Sequence, residues 1–220
     1  MTHSRRAFVQ HLTVGTAGFT SLAALPTDLL VPAAQGAPWD VSWASRLRGK
    51  HKACFDCTEP ESGYGVWRAN AWAGQYREVL KAGPTDLSPV IILRHNAIVL
   101  AMQPPFIQKY SLGKKFGVTH PLTMEPIEQN PALLDEKDGI PAPFNNSGLH
   151  KQLGRGVIAL ACNLALQDVI DHVVAIDKVS DAEARKRSVE GMVPGVILQP
   201  SGGFAAVLAQ ESGCAYVKAS

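Results

Sequence analysis

Residues 157–171 (VIALACNLALQDVID) constrain the fold more than any other stretch of the chain. Val157 to Ala161 form an unbroken apolar run of buried-strand length. After Cys162-Asn163 the pattern becomes helical, with Leu166, Val169, Ile170 and Val173 at helical spacing. A strand buried on both faces that turns directly into a helix belongs to a parallel sheet. It sets a thiol at the carboxyl edge of that sheet, where open α/β folds hold their ligands and where the amides of a following helix favour an anion, including a thiolate. Cys162 is therefore the first candidate for chemistry, against the plainer reading of a small buried hydrophobe.

The rest of the chain repeats the alternation. Residues 50–57 predict a first strand and residues 58–65 a loop; a helix follows, with Trp67, Ala71, Trp72, Tyr76, Val79 and Leu80 in period until Gly83-Pro84 stops it. Residues 87–93 (LSPVIIL) predict a second buried strand ending in Arg94-His95-Asn96, before a helical stretch whose apolar face includes Ile98, Val99 and Met102. His95 is a second candidate, able to act as base, proton donor or ligand near neutral pH; the alternative is a helix cap. Later, Ser180 with Glu183 forms a capping box for a charged helix whose Arg185, Lys186 and Arg187 read as a solvated face. Residues 193–199 predict a strand, Pro200-Ser201 opens a helix carrying Phe204, Val207 and Leu208, Gly213 closes it, and residues 214–217 make a last strand. The fold class predicted is α/β, a three-layer sandwich around a mostly parallel sheet.

Two regions depart from this rhythm. Residues 111–154 are rich in Pro, Asn and Gly, with Phe116, Leu133, Leu134 and Phe144 as anchors, and read as an insertion over the site. At the start, Ser4-Arg5-Arg6-Ala7-Phe8 precedes a mildly apolar stretch and small residues ending at Gly36-Ala37, which reads as a twin-arginine export signal over residues 1–36. The expected mature chain, 37–220, is then one domain in the bacterial periplasm, delivered by the twin-arginine translocase and with no membrane span. A net charge of +2 with scattered Lys and Arg argues against a nucleic-acid partner.

In an oxidising compartment the four cysteines, Cys54, Cys57, Cys162 and Cys214, allow three full pairings, and the sequence does not choose among them. Cys54 and Cys57 have CxxC spacing, but inside a strand their thiols point to opposite faces, which argues against a redox pair. No haem-attachment His follows, and no second CxxC completes a zinc site, so neither a metal nor another cofactor is expected. G-x-S-x-G, P-loop and dinucleotide fingerprints are absent from the sequence.

With the edge cysteine in place, the second half of the chain resembles the DsrE/DsrF-like family of sulfur-relay proteins. The residues that carry the resemblance are 156–166 (GVIALACNLAL), where the family has a strand ending in Cys-Asn, and 193–218, with Val193-Pro194-Gly195-Val196, Gln210-Glu211-Ser212-Gly213 and Ala215-Tyr216. Residues 93–97 (LRHNA) match the family's strand-end segment. The resemblance implies a DsrE-like sandwich assembled as a homo-oligomer, a trimer or hexamer, with Cys162 able to carry sulfane sulfur and with His95, Arg94, Asn96 and Asn163 beside it. A small sulfur-containing ligand or a sulfur-donor protein is then the expected partner. Two alternatives stand beside this persulfide function. One is a non-enzymatic module holding a small ligand under the insertion. The other is a thiol-redox protein using a Cys57–Cys162 disulfide, which requires Cα atoms within about 7 Å.

Overall fold

The computed structural model describes residues 39–220, so the expected export signal lies outside the described residues. Five strands, β1 (His51–Cys57), β2 (Leu87–Leu93), β3 (Ile158–Cys162), β4 (Ile197–Gln199) and β5 (Ala215–Lys218), form one sheet in the order β4-β3-β2-β1-β5. Every pair is parallel. The chain steps outward from β1 to β4 in sequence order and then crosses back to lay β5 on the far side of β1.

Helices α1 (Tyr64–Leu80), α2 (Pro104–Tyr110), α3 (Leu112–Phe116), α4 (Leu149–Gly154), α5 (Asn163–Asp177), α6 (Asp181–Glu190) and α7 (Gly202–Glu211) complete the regular structure, with several short 3-10 turns. Strand alternation sorts the side chains into two cores. On one face Phe55, Cys57, Ile91, Leu93, Ala159 and Ala161 meet Val66 and Ala69 of α1 and Leu166, Val169 and Ile170 of α5. On the other, Cys54, Val90, Ile92, Ile158 and Leu160 meet Ala205 and Ala209 of α7, with Trp43 closing the end. Each fully buried Ile or Leu stabilises the fold by about 1.5–3 kcal/mol relative to its exposed state. The result is an α/β three-layer sandwich around an all-parallel sheet.

Local chemistry fixes the element ends. The Ser180 hydroxyl accepts from the Glu183 amide at 3.3 Å to open α6, and Ser201 does the same for Phe204 at 3.0 Å to open α7. Lys178, in left-handed conformation, ends α5, and Gly213 at φ 91° turns the chain from α7 into β5.

The structure departs from the sequence reading, or adds to it, at four places. The strand expected over 193–199 is only Ile197–Gln199, because Pro194-Gly195 makes a turn with Gly195 at φ 91° and Val196 bonded back to Val193. The helix expected after Asn96 is a 3-10 segment, His95–Ala101, and beyond its exposed first two residues it has no solvent face: Ala97 to Met102 are all fully buried. On α7 the core face belongs to Ala205 and Ala209, whose small side chains let the helix lie close to the sheet, while Phe204 and Val207 are exposed. Two of the three basic residues expected on a solvated face of α6 are engaged, while Lys186 is exposed: Arg187 binds Asp177 and Glu183, and Arg185 binds Asn163.

The segment expected as an insertion holds α3, α4 and 3-10 turns between irregular stretches. Its anchor is Asn130, 1% exposed, which donates from Nδ2 to the carbonyls of Leu100 and Met102 and accepts from the Ala132 amide. Satisfying three backbone groups inside the core ties the segment to the 3-10 turn that follows β2.

Candidate functional site

The strand order determines where a site can form. The chain leaves β3 for α5 on one face and leaves β4 for α7 on the other, so the carboxyl ends of these neighbouring strands flank a topological switch point. Cys162 is the last residue of β3 and the N-cap of α5, and is 6% exposed. Its Sγ accepts the Ala165 amide at 3.4 Å. Neither the first turn of α5 nor that of α7 contains an acidic residue. Both positive helix ends are therefore unopposed by a carboxylate of their own.

Asn163 is buried, and its Oδ1 accepts from Arg185 Nη2 at 2.6 Å. That bond fixes the side-chain amide and fastens α6 to the start of α5. Asn96, by contrast, is exposed and donates to Glu59 at 2.8 Å.

Arg94 leads to two residues that sequence reasoning missed. Its Nε and Nη2 donate to Asp56 Oδ1 and Oδ2, each at 2.7 Å, and Tyr216 donates its hydroxyl to Oδ2 at 2.6 Å. Register explains the match: Asp56 pairs with Ile92, so Arg94, two residues on, lies on the same face. Asp56 is 1% exposed. Burial works against its charge, but the bonds from Arg94 and Tyr216 hold its pKa below the ordinary carboxylate value. The arginine stem lies over Gly202, where an added Cβ would come within 2.4 Å of Arg94 Cδ. The signal available in the sequence was Asp56 itself, a carboxylate inside the apolar strand ACFDC that had to find a cation.

His95 sits next to this cluster, exposed and at φ 49°. Arg94 Nη1 lies 2.6 Å from His95 Nε2. Since a guanidinium only donates, Nε2 is the acceptor and the proton of the neutral ring is on Nδ1. Arg94 is thus neutralised by Asp56 and orients His95; it is not a free cation for Cys162.

Comparison with family models, with curated proteins and with solved structures finds no match to this chain. Its site rests on geometry alone.

The other three thiols lie away from a helix start. Cys57 is fully buried and its pKa is pushed up to about 12, by burial first and then by the Asp56 charge; Cys54 is pushed up to about 11 by burial and then by Cys214, and burial raises Cys214 as well. All four are free. Cys54 and Cys57 do face opposite cores. The Cys57–Cys162 disulfide is excluded: β2 lies between β1 and β3, and two strand spacings separate those Cα atoms by about 10 Å.

Beneath the insertion, a slot opens between the start of α1 and residues 121–148. Tyr64, Trp67 and Phe144 form its aromatic wall, with ring centroids 5.0–6.1 Å apart, and Ile140 and Leu134 face them. The slot is narrow, about 40 Å³, and open at its mouth. Among the described residues no group of three or more His, Cys, Asp or Glu is arranged to hold a metal, and no helix is long and apolar enough to cross a membrane.

Proposed function

We propose that the protein is a periplasmic thiol carrier of the DsrE/DsrF-like kind that accepts sulfane sulfur as a persulfide on Cys162. One observation carries this reading: Sγ of Cys162 lies at the amino end of α5 and receives the Ala165 amide. An anionic sulfur accepts that bond more strongly than a neutral thiol, and the helix dipole acts in the same direction. Of the four thiols, Cys162 is the one that caps a helix start at the carboxyl edge of the sheet.

In the reaction the Cys162 thiolate attacks the outer sulfur of a donor persulfide or polysulfide. A sulfur–sulfur bond forms to Cys162 as the donor's own breaks, and the donor leaves as a thiolate. An acceptor thiolate then takes the outer sulfur and returns Cys162 to thiolate, so the cycle needs no oxidant. His95, its Nε2 held by Arg94, donates a hydrogen bond from Nδ1–H to the leaving thiolate, which departs as the anion. Arg94 is a positioning residue in this scheme, and Asn163 keeps the helix start in place. Because Cys162 is 6% exposed, the scheme favours a small donor over a folded one.

Export by the twin-arginine translocase and assembly as a trimer or hexamer belong to the same reading. Exposed Phe204 and Val207 on α7 and Leu164 on α5 supply apolar surface for copies to bury. The test is loading with polysulfide followed by transfer to cyanide. Cys162→Ser should abolish thiocyanate formation while Cys54→Ser retains it, and equal loss in both variants contradicts the reading.

A second reading, a non-enzymatic module for a small ligand, is favoured by the aromatic slot under the insertion. A fluorescence change of Trp67 on adding an apolar ring compound, abolished in Phe144→Ala, supports it.

A further inference from the structure

At the opposite edge of the sheet, a cavity opens where β2 and β3 begin. Leu87, Pro89 and Val157 form its apolar wall, and Arg77 of α1 and Arg155, which follows α4, line the same space. Pro89 has no amide hydrogen and lies just before the first pair of the β2–β3 ladder, Val90 with Ile158, so the two strands are not yet joined beside the cavity. The cavity measures about 320 Å³ and is open at its mouth.

Its charges are unbalanced. Among the described residues, neither Arg77 nor Arg155 has a carboxylate within ion-pair distance. Arg77 donates from Nε to the Ala73 carbonyl of its own helix at 3.0 Å. Arg155 donates from Nη2 to Asn70 Oδ1 at 3.0 Å and to the Asn146 carbonyl at 2.9 Å. Both side chains are exposed at the cavity mouth; partial burial first, and then the Arg77 charge, lowers the pKa of Arg155, so the two guanidiniums are close enough to repel each other. Neutral acceptors fix Arg155 in place and leave its charge uncompensated. Two such cations lining one cavity supply N–H donors of the kind that a planar or tetrahedral oxyanion accepts.

We infer that this cavity is a binding site for a small organic oxyanion, a carboxylate or phosphoryl group held between Arg77 and Arg155 with a short apolar body against Leu87, Pro89 and Val157. It lies at the other end of β3 from Cys162, about 13 Å away along the strand, and is independent of the sulfur chemistry.

The experiment is titration of the full chain at low ionic strength with benzoate, inorganic phosphate and chloride, following the melting temperature and binding heat. Benzoate and phosphate should both raise the melting temperature, benzoate more because it also covers the apolar wall, and chloride at matched ionic strength should not. Arg77→Gln, whose side chain bonds only within its own helix, should weaken benzoate binding by about tenfold or more, and Arg155→Lys should do the same. An equal response to chloride, or undiminished benzoate binding in Arg77→Gln, overturns the inference.

Discussion

Arg94 grips Asp56 through two hydrogen bonds of 2.7 Å, joining the ends of β2 and β1 at the carboxyl edge of the sheet. Asp56 is almost wholly buried while Arg94 keeps about a quarter of its side chain exposed. The pair is therefore screened on one side, and its rupture falls at the low end of the range for buried pairs. Asp56→Asn should lower unfolding free energy by about 2–3 kcal/mol, measured by urea denaturation near neutral pH. The pKa of Asp56 is depressed in the folded state, so this stabilisation is present above about pH 4 and is lost on acidification. The gap between wild type and variant should close as the pH falls below 4.

Gly202→Ala puts a methyl group into the space held by the Arg94 stem. It should destabilise the fold by about 1–3 kcal/mol through overpacking. Because the displaced arginine loses its grip on Asp56, the loss should be smaller in an Asp56→Asn background, a non-additivity that a double-mutant cycle measures.

A second close approach gives an internal control. A Cβ at Gly65 would lie 2.6 Å from Cys57 Sγ, which explains why α1 carries a glycine where it crosses β1. Gly65→Ala should cost about 1–3 kcal/mol. Cys57→Ala, which removes the sulfur, should recover most of that loss in the double variant; denaturation midpoints of the four proteins decide it.

Asp177 ties the end of α5 to the Tyr110 hydroxyl and to Lys109 and Arg187. Those bonds, Tyr110's first, hold its pKa down to about 2. An unfolded aspartate titrates near 3.9, so its contribution is complete above about pH 4 and disappears between about pH 4 and pH 2. Asp177→Asn should be less stable than wild type at pH 6 and should approach it as the pH reaches 2, followed by thermal melting across that range.

Much of the frame was legible in the sequence because its signals are local. The run LSPVIIL is β2 to the residue, and the caps Ser180, Ser201 and Gly213 close their helices as their chemistry requires. What was not legible depends on partners distant in sequence. Asp56, Arg94 and Tyr216 come from three strands, and only the β1–β2 and β1–β5 registers bring them together. The sequence named Phe204, Val207 and Leu208 on α7 but not the face it buries; Phe204 and Val207 are exposed because small residues, Ala205 and Ala209, bring that helix close to the sheet. The residues following β2 looked like an ordinary amphipathic helix; Asn130, some thirty positions away, binds the carbonyls of Leu100 and Met102 and covers them. The candidate at Cys162 was visible because a strand ending in a thiol and running into a helix is itself a local pattern.

The most direct measurement is peptide mass spectrometry of the folded protein after exposure to polysulfide, with free thiols alkylated before digestion. Cys162 should gain the mass of one added sulfur atom. Cys54 and Cys57, fully buried and with raised pKa values, should remain unmodified until the chain is unfolded. An unmodified Cys162, or sulfur distributed equally over the four cysteines, contradicts the account.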